Sequence, residues 1–277
     1  MIRPRRSLLF LPGDDRRKIE KAISTAPDSI IMDLEDGVAV TKKADAREVV
    51  LRAISELNFG TSERIIRINA LDTHFADDDI QTVIRAKPDA VIIPKVEAPE
   101  HVTYVVDRIP FAIPVIAMIE TAKAVMNIKE IATSPSLVAL CFGAEDYIAS
   151  VGGVRTKSNH EVAYARSVVP MCASVFNLQA LDMVYVDFKD EAGLRAETRA
   201  ALELGYSGKT AIHPNQIAPI NETFTPSKEE IDRAQKLLNA FNENQAKGAG
   251  AFAFEGKMVD MPVIRAAQNM LARAGIS

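Results

Sequence analysis

Short apolar runs alternate along the chain with longer segments in which apolar residues recur at helical spacing. The apolar runs predict β-strands at Ser7–Leu11, Ser29–Met32, Arg64–Ile68, Ala90–Ile93, Pro114–Met118, Leu137–Cys141, Met183–Val186 and Thr210–Ile212. The segments between them predict helices at Arg16–Ile23, Ala44–Leu57, Asp77–Ile84, Pro99–Val106, Ala122–Ile131, Glu161–Phe176 and Glu191–Leu204. This order indicates parallel strands that are joined by helical crossovers.

Eight strand–helix units within about 220 residues fit an α/β fold of the (β/α)₈ TIM-barrel type. A doubly wound open sheet is the alternative architecture. Against it, the first strand is followed by Pro12-Gly13-Asp14-Asp15 and not by the glycine-rich fingerprint of a dinucleotide-binding fold. We therefore predict a catalytic barrel domain over residues 1–222.

Residues 223–277 follow a different pattern. Ser227-Lys228-Glu229-Glu230 is a capping box that predicts a helix start. Gly248-Ala249-Gly250 and an extended stretch up to a turn at Gly256 predict a hairpin, and Pro262 fits the first turn of a final helix. Because eight strands already close the barrel, we expect this helix–hairpin–helix extension to be an arm or lid. It would pack on the barrel rim, either of its own subunit or, as we expect, of a neighbouring one.

Polar residues follow nearly every predicted strand: Pro12-Gly13, Asp33, Glu35, Asp36, Asn69, Pro94-Lys95, Glu120, Asp146, Asp187 and His213-Pro214. The carboxyl ends of barrel strands share one rim, and active sites lie there. Glu120 and Asp146, at adjoining strand ends, would form an oxygen-rich site that suits Mg²⁺. The alternative is that Glu120 caps a helix and Asp146 lies in a solvated turn. Polar groups at so many strand ends favour the metal site.

Arg67 and the acids after the second strand have two interpretations each. An arginine within an apolar strand needs an anionic partner. Arg67 would form a structural salt bridge with a rim carboxylate, or it would stabilise an oxyanion or bind a substrate carboxylate. Asp33, Glu35 and Asp36 would accept hydrogen bonds from waters on the metal, or they would cap helices and form salt bridges.

Three further candidates have alternatives of their own. Arg17 and Lys21 share one helix face, which suits the phosphates of a carrier such as coenzyme A, although charge alone favours a solvated surface. His213 is the one histidine that follows a predicted strand, and it would contact a ligand or be a hydrogen-bonded rim residue. Asp260 would be a general acid carried by the arm, or the N-cap of the last helix.

Composition narrows the functional classes. A hydrophobic content of 48% with 25% charged residues is that of a globular protein. A net charge of −4 argues against nucleic-acid and membrane-surface binding, which need a basic face. Cys141 and Cys172 lie in apolar surroundings without metal-ligand spacing, so we expect reduced thiols. No apolar run approaches the roughly 20 residues of a bilayer span, and no signal segment precedes the first strand. The cytoplasm is the expected location.

The ordered set of motifs resembles the citrate lyase β-subunit and malyl-CoA lyase family, of the HpcH/HpaI aldolase type. The motifs are Arg5-Arg6-Ser7-Leu8-Leu9-Phe10-Leu11-Pro12-Gly13, Asp33-Leu34-Glu35-Asp36-Gly37, Arg67-Ile68-Asn69, Pro94-Lys95-Val96-Glu97, Ile119-Glu120-Thr121, Phe142-Gly143-Ala144-Glu145-Asp146, Tyr185-Val186-Asp187-Phe188, Ile212-His213-Pro214-Asn215-Gln216-Ile217 and Gly256-Lys257-Met258-Val259-Asp260-Met261-Pro262. They cover nearly the whole chain. The similarity is greatest to stand-alone citramalyl-CoA lyases.

The resemblance implies a homotrimeric TIM barrel with specific residue roles. Glu120 and Asp146 would hold Mg²⁺, for which Mn²⁺ would substitute, and Arg67 would face the thioester oxyanion. The coenzyme A part would be held by Arg17, Lys21 and the Ile212-His213 backbone, with Phe10 lining it. Asp260 would be the catalytic acid, reaching across from the adjacent subunit.

The implied activity is a Mg²⁺-dependent carbon–carbon lyase that cleaves a 3-hydroxy-3-carboxyacyl-CoA thioester. Citramalyl-CoA would give pyruvate and acetyl-CoA. The alternatives within the family are a citryl-CoA or citryl-carrier lyase, which gives oxaloacetate, and a malyl-CoA lyase or malate synthase-type activity. Other hypotheses are a carrier-dependent, non-catalytic subunit and an aldolase of free oxo acids.

Two positions depart from the family pattern. Phe10 replaces a tyrosine that some relatives carry, which removes a hydroxyl near the carrier. His213 stands where citrate lyase subunits more often have asparagine, which favours free coenzyme A over a carrier protein.

Overall fold

The computed structural model describes residues 3–246 and 251–276. The predicted turn at Gly248-Ala249-Gly250 lies outside these ranges. The chain divides into two compact units, Met1–Asn221 and Glu222–Ser277, and each is described by itself. Within the described ranges, no helix combines the length and the apolar character that crossing a lipid bilayer requires.

Eight parallel strands form a closed barrel in sequential order, which confirms the predicted (β/α)₈ fold. The strands are β1 Ser7–Pro12, β2 Ser29–Asp33, β3 Glu63–Arg67, β4 Ala90–Ile93, β5 Val115–Ile119, β6 Leu137–Phe142, β7 Gln179–Asp182 and β8 Gly208–Ala211. The barrel closes where β8 pairs with β1, with Lys209 opposite Ser7 and Ala211 opposite Leu9.

Helices follow the strands. They are α1 Arg16–Ile23, α2 Lys43–Glu56, α3 Ala76–Ala86, α4 Pro99–Val106, α5 Ala122–Met126, α6 Ile128–Ile131, α7 Ala144–Val151, α8 Ala163–Val175, α9 Glu191–Leu204 and α10 Ile217–Phe224. Three short 3₁₀ turns, Val40–Lys42, His160–Val162 and Pro214–Gln216, precede α2, α8 and α10.

Side-chain alternation along the strands decides what lies inside the barrel. The buried interior cluster is Leu8, Ile31, Ile65, Ala90, Ile92, Ile116, Met118, Ala139, Cys141 and Leu181. The residues between them, such as Ile30, Ile66 and Val91, are also fully buried, because the barrel strands are covered by helices on their outer face. Continuing the inward alternation by two positions places Arg67, Glu120 and Gly143 at the carboxyl-terminal rim.

The prediction of a strand at Met183–Val186 is wrong. The strand β7 is Gln179–Asp182, and the apolar run after it leaves the sheet, with Val186 58% exposed. The charged Asp182 lies inside β7, outside the predicted range, because Arg166 and Lys209 neutralise it. As a consequence, Asp187 lies in an exposed loop and not at a strand end.

Two helix predictions also change. The segment predicted as one helix over Ala122–Ile131 is two short helices, α5 and α6, that meet at Asn127. The Asn127 side chain donates a hydrogen bond to the backbone oxygen of Glu97 at 2.9 Å, which fixes the break. Helix α7, which was not among the predicted helices, begins directly after β6 and carries Asp146 in its first turn.

A buried charge cluster lies on the outer side of β7 and β8. Lys209 is fully buried and donates to Asp182 Oδ2 at 2.8 Å, to Glu197 Oε1 at 2.7 Å and to the Met183 backbone oxygen at 2.6 Å. Arg166 binds both carboxylate oxygens of Asp182, at 2.9 and 2.8 Å. Burial alone raises the pKa of Asp182, but Lys209 and Arg166 together hold that pKa below its usual value.

The second unit has its own hydrophobic core. Helix α11, Lys228–Ala246, begins at the predicted capping box, in which Ser227 N donates to Glu230 Oε2 at 2.8 Å and Glu230 N donates to Ser227 Oγ at 3.2 Å. A hairpin of β9, Phe252–Phe254, and β10, Lys257–Val259, precedes α12, Met261–Arg273. The core cluster is Ala234, Leu237, Val259, Ile264, Ala267 and Leu271.

Substituting Lys209→Met should lower the free energy of unfolding by about 3–5 kcal/mol, because it leaves the buried Asp182 and the partly buried Glu197 without their shared cation. Urea denaturation measures this loss. The control is Lys123→Met, which removes an exposed pair with Glu97 and should cost at most about 1 kcal/mol. Equal losses in the two variants would contradict the assignment of the cluster as a stabilising element.

Candidate active site

A cavity of about 320 Å³ opens at the carboxyl-terminal rim of the barrel. Its lining combines apolar residues with a few charged ones, as is common in small-molecule sites. The lining residues are Phe10, Leu11, Pro12, Asp33, Gly37, Arg67, Met118, Glu120, Phe142, Gly143, Ala144, Glu145, Asp146, Val184, Thr210 and Ile212. Six predicted site residues therefore meet here: Phe10, Asp33, Arg67, Glu120, Asp146 and Ile212.

Glu120 is fully buried at the inward position after β5. Its Oε1 accepts a hydrogen bond from the Lys95 backbone N–H at 2.8 Å, whereas Oε2 is buried and has no hydrogen-bond partner in the described structure. Burial, together with the charges of Glu35 and Asp146, raises the pKa of Glu120 to about 8, although Arg67 and the Lys95 N–H oppose this shift. A buried carboxylate with one unpartnered oxygen is costly unless a cation neutralises it.

Gly143 makes room for Glu120. A Cβ atom built on Gly143 would lie 2.5 Å from Oε2 and 2.6 Å from Cβ of Glu120. Real Cβ atoms do not approach other heavy atoms so closely, so no larger residue fits while Glu120 keeps this position. The glycine is therefore part of the site.

Asp146 is the second carboxylate of the cavity. It lies half-buried in the first turn of α7, and none of the described residues forms a hydrogen bond or ion pair with its side chain. Thr121, not Glu120, caps α5, since its Oγ1 accepts from Ala124 N at 3.0 Å. The capping alternative for Glu120 is thus not what the structure shows. The unpartnered Oε2 of Glu120 and the Asp146 carboxylate line the same cavity.

No three His, Cys, Asp or Glu side chains converge as a complete ligand cluster in residues 3–246 and 251–276. Two carboxylates suffice for Mg²⁺, which usually keeps several waters and uses one or two protein carboxylates. The unpartnered Oε2 of Glu120 and the half-buried Asp146 fit such an ion. Zinc prefers clustered nitrogen and sulfur ligands, and the described residues form no such cluster.

Arg67 is held in the mouth of the barrel by acids. Its Nε and Nη2 donate to the two oxygens of Asp33 at 2.7 and 2.6 Å, and its Nη1 lies 2.8 Å from Glu35 Oε2. The Asp33 oxygens also accept from the backbone N–H groups of Glu35 and Gly37. A carboxylate has about four lone-pair sites, so Asp33 is fully used within the protein, which favours the salt-bridge interpretation for this residue.

The other two acids after β2 differ in exposure. Glu35 is 4% exposed and accepts from Lys95 Nζ at 2.6 Å. Burial raises the pKa of Glu35, and the charges of Arg67 and Lys95 oppose this shift. The Asp36 side chain is 66% exposed and lies 3.8 Å from Lys95 Nζ. A role for Glu35 and Asp36 in binding metal-bound waters stays a prediction.

The predicted coenzyme A residues lie in two places. Phe10 lines the cavity, and the centre of its ring lies 4.8 Å from Cζ of the Arg67 guanidinium. Arg17 and Lys21 lie on the exposed side of α1 and have no ion pair with any described residue. Their neighbours Arg16 and Lys18 are paired with Glu20, Glu56 and Asp15. The positive charge of Arg17 and Lys21 is therefore uncompensated.

His213 does not line the cavity. Its ring stacks on Phe188 with the ring centres 4.9 Å apart, and its Nδ1 accepts from Asn215 N at 3.2 Å. The backbone N–H groups of Ile212 and His213 both donate to Gln216 Oε1, at 2.8 and 3.2 Å. These donors are thus occupied within the turn, and the predicted contact of this backbone with coenzyme A stays a prediction.

Asp260 belongs to the second unit. It occupies the N-cap position of α12, but its side chain is exposed and makes no capping hydrogen bond. The Asp260 carboxylate therefore does not cap α12 and is available for another role.

Two residues that shape the site, Gly143 and Lys95, were not predicted as site residues from the sequence. Gly143 follows the inward-facing Cys141 by two residues, so strand alternation was a signal for its position facing the interior. Lys95 was recognised only as a rim residue. Its left-handed backbone, with φ of 48°, turns its N–H towards Glu120, and no sequence pattern marks this conformation.

A model of the HpcH/HpaI aldolase/citrate lyase family matches residues 6–214. The chain belongs to this family. The resemblance inferred from the motifs is thereby confirmed, and the match covers the barrel with all of its rim residues. Asp260 lies beyond the matched range.

Individual members of the HpcH/HpaI aldolase/citrate lyase family are similar over almost the whole chain. The mouse protein named "Citramalyl-CoA lyase, mitochondrial" is 39% identical over 291 residues, covering 98% of this chain and 86% of the relative. A (3S)-malyl-CoA thioesterase from Cereibacter sphaeroides is 37% identical over 271 residues, covering 98% and 95%. The crystal structure of CitE from Mycobacterium tuberculosis with magnesium, acetoacetate and coenzyme A has a TM-score of 0.85 at 35% identity, covering 99% and 100%.

Substituting Gly143→Ala should displace the Glu120 carboxylate and weaken divalent-cation binding by about tenfold or more, since the added methyl group would lie only 2.5 Å from Oε2. Titration with Mg²⁺ by calorimetry measures the dissociation constant. Gly153→Ala is the matched control, because a Cβ at Gly153 meets its nearest neighbour at 3.4 Å. Unchanged affinity in Gly143→Ala would contradict the assignment of Glu120 as a ligand.

Proposed function

We propose that this protein is a Mg²⁺-dependent carbon–carbon lyase that cleaves citramalyl-CoA, a 3-hydroxy-3-carboxyacyl-CoA thioester, to pyruvate and acetyl-CoA. The observation that carries this proposal is the buried, unpartnered Oε2 of Glu120, which shares a cavity with Asp146 and Arg67. Family membership, the mouse relative's name and the magnesium and coenzyme A in the CitE structure support it.

Glu120 and Asp146 would hold the magnesium ion, and Mn²⁺ would suit the same oxygen donors. When bound, the ion supplies a Lewis acid and a template for the substrate. Glu120 contributes the oxygen that no protein group satisfies, and Gly143 keeps the space beside it open. The two carboxylates come from adjoining segments after β5 and β6, so their spacing depends on barrel closure.

Arg67 stabilises the negative charge that develops on the thioester oxygen as the carbon–carbon bond breaks. A guanidinium group has five N–H donors, and two of those of Arg67 are bonded to Asp33. Asp33 and Glu35 fix the plane of the group, while Phe10 packs on its face. This fixed orientation removes the cost of reorganising the arginine when the charge appears.

Asp260 is the proposed general acid that protonates the enolate carbon to give the acetyl group. Its exposed carboxylate, which caps no helix, suits this task. We propose that the chain assembles as a homotrimer in which Asp260 reaches the rim of an adjacent subunit. This arrangement makes each active site depend on two chains.

The coenzyme A part would extend from Phe10 and Ile212 towards α1, where Arg17 and Lys21 offer unpaired positive charge for phosphates. His213 favours free coenzyme A over a carrier protein. The two cysteines are free and buried, as expected in a reducing compartment, and the cytoplasm is the location that we propose.

Thioester hydrolysis is the second candidate, because the Cereibacter sphaeroides relative is named a (3S)-malyl-CoA thioesterase at 37% identity. The products separate the two reactions. A lyase forms an oxo acid and leaves the thioester intact as acetyl-CoA, whereas a thioesterase releases free thiol. Assaying citramalyl-, citryl- and malyl-CoA for both products also separates the substrates that differ only in the acyl group.

Glu120→Gln and Asp146→Asn should each lower pyruvate formation from citramalyl-CoA by about 10²–10³-fold or more while the fold survives, because each removes a charged cation ligand. Coupling pyruvate to a lactate dehydrogenase measures the rate, and circular dichroism checks the fold. Glu130→Gln, an exposed acid on α6, is the control. Full activity of the wild type in EDTA would refute the role of the metal.

Mixing two inactive variants tests the shared site. If Asp260 acts on the neighbouring barrel, Asp260→Asn and Glu120→Gln chains that are dissociated and reassembled together should regain about a quarter of the wild-type turnover, since some sites then contain both intact residues. Each variant reassembled alone is the control. Absence of any recovery in confirmed mixed assemblies would place Asp260 outside the neighbour's site.

A further inference from the structure

Lys95 makes two contacts that converge on the acids of the rim. It follows β4 and Pro94, and its backbone is left-handed, with φ of 48°. Residues other than glycine rarely adopt this conformation, and it persists where the surroundings enforce it, often at functional sites. At Lys95 it turns the backbone N–H onto Glu120 Oε1, at 2.8 Å. This contact fixes one oxygen of Glu120 and leaves Oε2 without a protein partner.

The Lys95 side chain holds a different acid. Its Nζ lies 2.6 Å from Glu35 Oε1, while the other oxygen of Glu35 lies 2.8 Å from Arg67 Nη1. Glu35 is thus bound between two cations. Its charge is nevertheless close enough to Glu120 to contribute to the raised pKa of that residue. Of the acids that face Glu120, Glu35 is the one that Lys95 restrains.

Lys95 is one of two cations that contact the acids beside Glu120. Asp33, Glu35, Glu120 and Asp146 carry four negative charges when ionised, and Arg67 and Lys95 carry two positive ones. These six groups leave an excess of two negative charges, to which the exposed Asp36 near Lys95 adds a third. Without Lys95 the negative excess is one charge larger, and Glu35 is unrestrained beside Glu120.

We propose that Lys95 is a positioning residue that keeps Glu35 on Arg67 and out of the cation site, while its backbone orients Glu120. This inference rests on the proposed function, because it concerns the same cation site. In this role Lys95 limits the number of carboxylates that bind the cation and their total negative charge. It does not contact the substrate. The consequence is that loss of the ammonium group strengthens cation binding and slows the reaction.

The test is Lys95→Met, which removes the ammonium group and keeps the backbone N–H. Binding of Mn²⁺, followed by electron paramagnetic resonance at pH 8, should tighten by about threefold or more, because one positive charge is lost and Glu35 is released. The kcat should fall by about tenfold or more, because Glu35, one of the two acids that hold Arg67, is no longer fixed by Lys95, and the KM for the thioester should stay unchanged. The Mn²⁺ spectrum should also change, since the set of ligands changes.

Adding Glu35→Gln to Lys95→Met should return the Mn²⁺ affinity towards the wild-type value, because the extra carboxylate is then neutral. Lys95→Arg, which keeps a cation, should retain the wild-type affinity. Lys87→Met is the matched control, since Lys87 is an exposed lysine with φ of 51° at the end of α3, outside the site. It should leave Mn²⁺ binding and kcat unchanged.

The outcomes separate the two proposals. If Lys95→Met weakens Mn²⁺ binding together with kcat, or changes neither, the inference about Lys95 is overturned while the lyase proposal stands. Failure of the wild type to bind Mn²⁺ or Mg²⁺ at all would overturn both, because no cation site would remain for Lys95 to organise.

Discussion

The rim depends on the ion pairs that Arg67 forms with Asp33, the last residue of β2, and with Glu35 in the loop that follows. Buried charges are unfavourable unless partners and hydrogen bonds replace water, and Arg67 obtains both from Asp33 and Glu35. These ion pairs tie β3 to β2 and to the loop after it, and they place a permanent positive charge in the cavity. The neighbouring Glu120 is then tolerated as a buried acid, although Arg67 only partly offsets its burial. A metal ion would neutralise the negative charge of Glu120 that Arg67 leaves uncompensated.

Barrel alternation explains why these groups meet. Arg67, Glu120 and Gly143 each follow an inward apolar residue by two positions, so the pleat that fills the interior with Ile65, Met118 and Cys141 also directs the rim residues inwards. Function therefore depends on the register of the strands: shifting one strand by a single residue would turn its rim side chain outwards. The charge cluster around Lys209, on the outer side of the last two strands, supports the same register.

The sequence predicted the barrel and most of its rim because strand periodicity and strand-end chemistry are local signals. It failed at β7, where the charged Asp182 lies inside a strand because Arg166 and Lys209, distant in sequence, neutralise it. It also gave no signal for the left-handed Lys95 or for the restraint of Glu35, since both depend on neighbours that only folding brings together. Asp260 was found from the sequence as part of a motif, and its role in catalysis is a proposal that depends on contacts between chains.

The close approach of Gly143 to Glu120 restricts which residues can occur together at these two positions in related sequences. A barrel that carries alanine or a larger residue at this position cannot hold a glutamate in the same pose after the preceding strand, so the two positions must vary together. Such a pair would serve as a marker within related sequences: glycine with glutamate would indicate a barrel that can hold the buried carboxylate in this pose, and a larger residue would indicate one that cannot.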